Sequence, residues 1–424
     1  MAENRDTIEG EIKSEQHELT DFIRKVFIVK ILITSEWYSP AINGVVTSVL
    51  NLQTELKKLG HEVKVLTLSA TARSYEKDGV TYFGSFGTGK IYPGTRVALF
   101  RGNKFLEELI EWGPDIIHSQ CEFSTFHIAR QISKELDIPI VHTYHTVYED
   151  YTHYFSPNKK WGTAMVVRFT RRVLNSAECV IAPTEKVRSL LLGYGVKRQI
   201  YVVPTGINLE NFVVSVSTEE KRRLRDSLGI PFGSRVMTFV GRLAKEKNLE
   251  EIFTYLTRYI SETGKKDITL LVVGDGPHRS FLEQYASDLG VSDNVVFAGM
   301  VKASEVAKYY QLGEVFVSAS SSETQGLTYI EALANGVPAL CRKDPSLEDV
   351  IREGENGWQY ENYEEFVEKL ERMLSNEILH KRMAENARAG AVQKFSSIGF
   401  AKKVEKIYLN TMDFSLAGLK KSEG

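Results

Sequence analysis

The chain has 424 residues, 42% of them hydrophobic and 25% charged, with a formal net charge of −2. It is too long for one compact core, so two domains are expected, and the composition is that of an ordered globular protein. The near-neutral balance excludes nucleic acid as a partner of the surface as a whole.

Residues 1–26 lack apolar periodicity and read as an N-terminal extension; the first 21 are polar and acid-rich, the reverse of a secretory signal. Order is expected from Phe27, in the apolar run to Ile33 that suits a strand buried in a parallel sheet. A loop from Thr34 to Gly44 leads into a helix with Val45, Val46, Val49, Leu52, Leu56 and Leu59 on one face, closed by Gly60. Strand patterns return at 61–68, 115–118, 138–141 and 180–183. Cys121, Cys179 and Cys341 have no CxxC or metal-ligand spacing and read as small buried hydrophobes in a reducing cytosol. No run reaches the roughly 18 apolar residues of a membrane span, so membrane contact is expected to be peripheral.

The run 142–154 holds His142, His145, Asp150 and His153 among Tyr144, Tyr148, Tyr151 and Tyr154. A metal site is one reading, but no further ligand backs either pair. The tyrosines suit the rim of a sugar or glycerol pocket, or else pack the domain. Residues 157–172 then carry Lys159, Lys160, Arg168, Arg171 and Arg172 and no acid. They flank Trp161, Ala164, Met165, Phe169 and Val173 at helical spacing, the pattern of an interfacial helix on an anionic membrane. A helix packing its apolar face on its own sheet would share that pattern. The basic and aromatic stretch 90–101 would extend the same surface.

After 202–208 the polar stretch 213–226 marks a change of domain. Strand patterns resume at 236–240, 268–273, 295–297, 315–317 and 339–340. Two series of βα units imply an α/β protein with two Rossmann-like domains, 27–210 and 211–395, whose parallel sheets face across a cleft; helix 396–412 returns to the first. Ligands belong at the carboxyl ends of the strands.

Two loops at such ends stand out. Arg242 and Lys247 follow strand 236–240, and Glu323 precedes Glu331 by eight positions across Gly326 and the start of a helix. Carboxylates can grip sugar and ribose hydroxyls while cations and a helix N-terminus hold a diphosphate, which is what a sugar nucleotide requires. Gln325 through Thr328, Leu327 included, would offer backbone amides, and Gly326 would let the ligand approach the main chain. A solvated basic loop is the alternative for the cations, and a buried salt bridge for Glu331. The turn Gly274-Asp275-Gly276-Pro277 either touches ligand or only turns the chain. No acidic triplet offers a metal site, so Arg242 and Lys247 are expected to serve the diphosphate without metal or other cofactor.

These motifs resemble the large retaining glycosyltransferase family of the family-4 type, with the GT-B fold, that includes glycogen, sucrose and phosphatidylinositol mannosyl transferases. Within it the sequence looks like the bacterial synthases of monoglucosyldiacylglycerol, on runs 43–49, 142–154 and 323–329. The resemblance extends from about Lys30 to the C-terminus and implies a hexosyltransferase. Glucose would pass from UDP-glucose to 1,2-diacylglycerol with retention, at the inner face of the cell membrane. A different sugar donor, or a phospholipid or soluble acceptor, is the alternative; a non-catalytic sugar-nucleotide binding module is the rival outside enzymes. By resemblance Glu323 would bind donor sugar hydroxyls, Glu331 the ribose, and Arg242 and Lys247 the diphosphate. Gly44 would let the first domain close on the phosphates, and His145 would line the sugar pocket from the acceptor side. Glu323, His145, Arg242 and Lys247 are thus the expected catalytic group. Tyr148, Asp150 and Tyr151 are expected on the acceptor side. Gln325 stands where many relatives carry an aromatic residue.

Overall fold

A computed structural model of the chain describes residues 28–41, 43–87, 96–98, 102–149, 158–212, 215–320 and 323–422. The extension 1–26, Asp150, Tyr151, His153, Tyr154 and most of the stretch 90–101 lie outside the described residues.

The first sheet has eight strands in the order β10-β9-β8-β7-β1-β2-β4-β3. They are β1 Lys30–Thr34, β2 Glu62–Leu68, β3 Tyr75–Lys77, β4 Val80–Phe83, β7 Ile116–Ser119, β8 Ile140–Thr143, β9 Cys179–Ala182 and β10 Gln199–Val202. All pairings are parallel except β3 with β4, and a small antiparallel ribbon joins β5 Ser85–Gly87 to β6 Arg96–Ala98. Because strand side chains alternate between faces, β1 feeds two cores. Ile31 and Ile33 pack with Leu52 and Leu56 of the helix Gly44–Lys58, while Leu32 points into the cluster around Phe126 and Ile132. Burial on both faces explains the near-continuous apolar pattern of these strands.

The second sheet has the order β13-β12-β11-β14-β15-β16, wholly parallel. Its strands are β11 Arg235–Val240, β12 Ile268–Val273, β13 Val295–Gly299, β14 Val315–Ser318, β15 Ala339–Arg342 and β16 Gly357–Tyr360. The same alternation divides Met237 and Phe239 from Val236 and Val240. The polar stretch after Phe212 forms the helix Thr218–Ser227, started by a capping box of Ser217 and Glu220.

The chain crosses between domains twice, side by side. Ile207 bridges to Ser396, and a Cβ on Gly206 would meet the Ser396 carbonyl oxygen at 2.6 Å. That close approach is why glycine stands there. The last helix, Ser397–Ser422, then buries Phe400, Ala401, Val404, Ile407 and Tyr408 in the first domain. Strand order reverses direction of growth at β1/β7 in one sheet and at β11/β14 in the other, so both switch-point crevices open toward the cleft.

Candidate active site

The donor-side groups stand just beyond the switch-point strands β11 and β14. From the second domain, Arg242 follows β11 on an exposed loop, and Lys247 ends the short helical turn Lys245–Lys247. Two glycines hold this loop against its neighbour. A Cβ on Gly274 would come within 1.9 Å of the Gly241 carbonyl oxygen, and one on Gly276 within 2.3 Å of the Leu243 carbonyl oxygen. The Leu243 amide also donates to the Asp275 carbonyl at 3.0 Å. The 274–277 turn thus buttresses the Arg242 loop.

Glu323 does not wait alone for a ligand. Lys247 Nζ donates to its Oε1 at 2.6 Å, with the two side chains only 25% and 11% exposed. Burial alone would raise the Glu323 carboxyl, but Lys247, Ser320 and Lys186 beside it outweigh burial and hold it below its ordinary value. The carboxylate is therefore fixed in its charged form. Its backbone is held as well: Ser346 Oγ donates to the Glu323 carbonyl at 2.5 Å, and Lys186 Nζ donates to Asp344 Oδ1 at 2.8 Å and to the same carbonyl at 3.4 Å. Lys186 comes from the first domain, on the helix Glu185–Gly193 after β9, so it reaches across the cleft.

The helix Leu327–Ala334 begins as the sequence suggests, with Gly326 as its N-cap at φ 73°. A Cβ there would meet Leu347 and Tyr329 side-chain carbons at 2.8 Å, so packing by itself requires glycine at this position. The Gln325 side chain, as distinct from its backbone amide, is buried against the first domain, where Oε1 accepts the Thr205 amide at 2.8 Å and Nε2 donates to the Thr205 carbonyl at 2.9 Å. It holds backbone across the cleft. Leu327 and Thr328 are half-buried in the first turn, where helix geometry leaves amides without intrahelical partners. Gly44 starts the facing helix; a Cβ on it would come within 3.2 Å of Leu327 Cδ1. The two helix N-termini thus converge.

Glu331 lies on the same helix, half-buried, and its Oε2 accepts the Tyr310 hydroxyl at 2.8 Å. Burial pushes its carboxyl up to about 7, against a smaller lowering by that tyrosine. The alternative of a buried salt bridge is not what the site contains: the bonded partner is a neutral hydroxyl.

On the first-domain side, His145 is half-buried after β8, with Nε2 bonded to Gln120 Oε1 at 2.6 Å. Burial pushes its imidazole down to about 3, with a further lowering by His142, so it is neutral at working pH. His142 is fully buried and meets Glu122 Oε1 through Nε2 at 3.2 Å. Tyr148 donates its hydroxyl to Glu122 Oε2 and sits edge-on to Phe123, which stacks on Phe169. Tyr144, by contrast, is wholly buried core, so that tyrosine packs the domain. Among the described residues no group of three His, Cys, Asp or Glu side chains could hold a metal ion.

The basic stretch forms the helix Lys159–Leu174, with Asn158 Oδ1 accepting the Trp161 amide. Its predicted apolar stripe divides. Val173 is buried with Val166, Thr170 and Leu174, but Trp161 is 73% and Met165 61% exposed. Lys160, Arg168, Arg171 and Arg172 are exposed alongside them. Among the described residues no helix is long and apolar enough to cross a membrane.

Lys186, Asp344, Tyr310 and Gln120 escape the sequence reading. Lys186 and Gln120 follow strands closely, the same signal that marks Arg242, while nothing local marks Tyr310 as the partner of Glu331.

Comparison with known proteins agrees with this geometry. Residues 42–211 match the family described as Glycosyltransferase Family 4, and 220–390 that described as Glycosyl transferases group 1. The alpha-monoglucosyldiacylglycerol synthase of Streptococcus pneumoniae is 34% identical over 91% of this chain and 86% of its own. That of Acholeplasma laidlawii is 32% identical over 91% of this chain and 98% of its own. Among solved structures, the sucrose-phosphate synthase of Thermosynechococcus elongatus superposes with a TM-score of 0.71 at 20% identity, covering 90% of this chain and 98% of its own. Anabaena HepE, solved with UDP and glucose, gives 0.70 at 16%, covering 90% and 100%. Two parallel-sheet domains, a paired carboxylate and lysine at the second switch point, and these relatives lead to one assignment: the chain belongs to the group 1 glycosyltransferases and is a hexosyltransferase of the GT-B fold.

Proposed function

We propose that the protein transfers glucose from UDP-glucose to 1,2-diacylglycerol on an anionic membrane surface, with retention at the anomeric carbon. The observation that carries the lipid acceptor is the helix Lys159–Leu174, on which Trp161 and Met165 face solvent together with exposed Lys160, Arg168, Arg171 and Arg172. A helix packed only on its own sheet would bury those two side chains. Phe169 of this helix stacks on Phe123, whose ring meets that of Tyr148, so the helix adjoins the Tyr148–Glu122 pair. The names of the two synthases above support the same acceptor. The enzyme would act at the cytoplasmic face of the membrane, with Tyr148 on the acceptor side.

At the donor, Arg242 and Lys247 would neutralise the departing diphosphate without a metal ion. Glu323 would hold sugar hydroxyls and Glu331 the ribose. Retention is the outcome the family resemblance implies, and the leaving phosphate would help to deprotonate the acceptor hydroxyl.

The test is label transfer from UDP-[14C]glucose into the lipid extract of anionic vesicles, with and without diacylglycerol, in EDTA. Diacylglycerol-dependent label with an α-anomeric product is the expected result. UDP release on small alcohols but no lipid label would move the acceptor to a soluble compound, and silence in EDTA restored by a divalent cation would overturn the metal-free donor site. Arg168→Gln with Arg171→Gln is expected to weaken vesicle binding by about 30-fold at low salt, from roughly 1 kcal/mol per lost cation. UDP release on a soluble alcohol should be unchanged. Equal vesicle binding by this variant and wild type in cosedimentation would remove the helix from the membrane surface.

A further inference from the structure

A buried polar chain runs from the last helix to the cleft. Tyr408, returned to the first domain by the helix Ser397–Ser422, places its hydroxyl 2.6 Å from His118 Nδ1. His118 Nε2 lies 2.7 Å from Thr143 Oγ1 and 3.1 Å from Gln120 Nε2. Gln120, 1% exposed, then meets His145 Nε2 through Oε1 at 2.6 Å and accepts the Ser48 hydroxyl at 3.4 Å. Every member except His145 is buried.

The polarity of this chain follows from bond lengths. A glutamine amide has one accepting and one donating end, and its orientation is assigned from its neighbours. The 2.6 Å contact suits an N–H meeting an oxygen and is too short for two nitrogens, whereas 3.1 Å suits two nitrogens. Gln120 therefore donates toward His118 and accepts from His145. A neutral imidazole that donates through Nε2 keeps its lone pair on Nδ1. His145 Nδ1 has no hydrogen bond among the described residues.

We infer that Gln120 is a positioning residue: it locks His145 as the Nε2–H tautomer and so presents an accepting Nδ1 to a hydroxyl of the transferred sugar or of the acceptor. This rests on the reading that His145 lines the sugar pocket. The arrangement has the logic of a histidine whose far nitrogen is held by a third group, which sets the tautomer without meeting substrate. Gln120 was not evident as a site residue from sequence, since it sits at the end of β7 with no motif around it.

Three variants and one spectroscopic signature test it. In wild type, 15N chemical shifts of His145 should show Nε2 protonated and Nδ1 bare across pH 5–8. Gln120→Ala should mix the tautomers and lower kcat at least about tenfold with KM for the donor nearly unchanged. Gln120→Glu keeps an acceptor but adds a charge that favours the imidazolium. It should stay active in alkali and gain an acid limb that wild type lacks, as Nδ1 takes a proton. The titratable groups acting on His145 from its surroundings are His142 and His118, both present in wild type, so the new limb is read as a difference from it. His145→Ala with wild-type kinetics would overturn the underlying site reading and the proposal with it. A strongly impaired His145→Ala beside a Gln120→Ala of unchanged kcat and tautomer would overturn the proposal alone.

Discussion

Arg242→Ala is expected to lower donor turnover by at least about 10³-fold, and Glu323→Ala to lower kcat by about 10²-fold with a smaller change in KM. The asymmetry follows from where charge develops. As the glycosidic bond breaks, negative charge grows on the departing diphosphate, so a cation beside it attracts the transition state more than the ground state. Arg242 stands on the loop after β11, and its guanidinium suits two-pronged contact with phosphate oxygens. Glu323 would instead grip hydroxyls away from the breaking bond, and its loss loosens the sugar.

The bond from Lys247 to Glu323 makes a third substitution informative. Both side chains are largely shielded, so Lys247→Ala leaves a carboxylate enclosed without its counter-ion, which costs stability as well as phosphate binding. Adding Glu323→Gln should restore much of the lost thermal stability but none of the activity, a coupling that a double-mutant cycle of melting temperatures reads directly. Steady-state UDP release gives the kinetics. Wild-type values for both Arg242→Ala and Glu323→Ala would take the donor site away from these two loops.

Strand positions were legible because strands buried on both faces read as apolar runs: Ile268–Val273 matches its predicted span, and β11 and β14 differ by a residue. The strands that escaped are short or at the sheet margins. Tyr75–Lys77 is wholly exposed, and Gln199–Val202 carries polar residues at a sheet edge. In the candidate site the sequence marks groups where one residue type suffices for the expected chemistry, as for Arg242 or Glu331. It does not where the partner is distant in sequence. Glu331 and Tyr310 are 21 residues apart, and Gln325 and Thr205 are 120 apart in different domains. Gln325 shows this most clearly, since nothing near it in sequence announces that its side chain meets the Thr205 main chain. Gly326 teaches the complementary point, because a positive φ and the packing of Leu347 require glycine whether or not a ligand is near.

Glu331→Gln is expected to stabilise the ligand-free protein above pH 7 and to weaken UDP-glucose binding at the same time. Among the described residues the half-buried carboxyl is hydrogen-bonded by the Tyr310 hydroxyl alone, and its value of about 7 lies above the 4.5 of an unfolded glutamate. The folded protein thus binds the extra proton between these values. Stability attributable to this group is full below about 4.5 and is lost as pH rises through about 7. At pH 8 the ionised carboxylate costs on the order of 3 kcal/mol, which an amide of the same shape would relieve while still accepting from Tyr310. The melting transition should rise by about 2–4 °C per kcal/mol recovered at pH 8, and hardly move at pH 4.5. The donor has the opposite preference. A ribose diol donating to the carboxylate favours its charged form, so binding near pH 6 should release a proton, and affinity should fall as pH drops below about 7. Calorimetry in two buffers of different ionisation enthalpy counts that proton. In Glu331→Gln the count should be zero, the pH dependence flat, and the affinity about 10–100-fold weaker, equivalent to losing one charged hydrogen bond. A variant that is no more stable at pH 8 would mean that the carboxylate is well solvated. A wild type that binds UDP-glucose with no proton release would mean that the ribose lies elsewhere. A carboxylate whose burial costs the ligand-free protein stability is thus expected to be one that the nucleotide stabilises on binding.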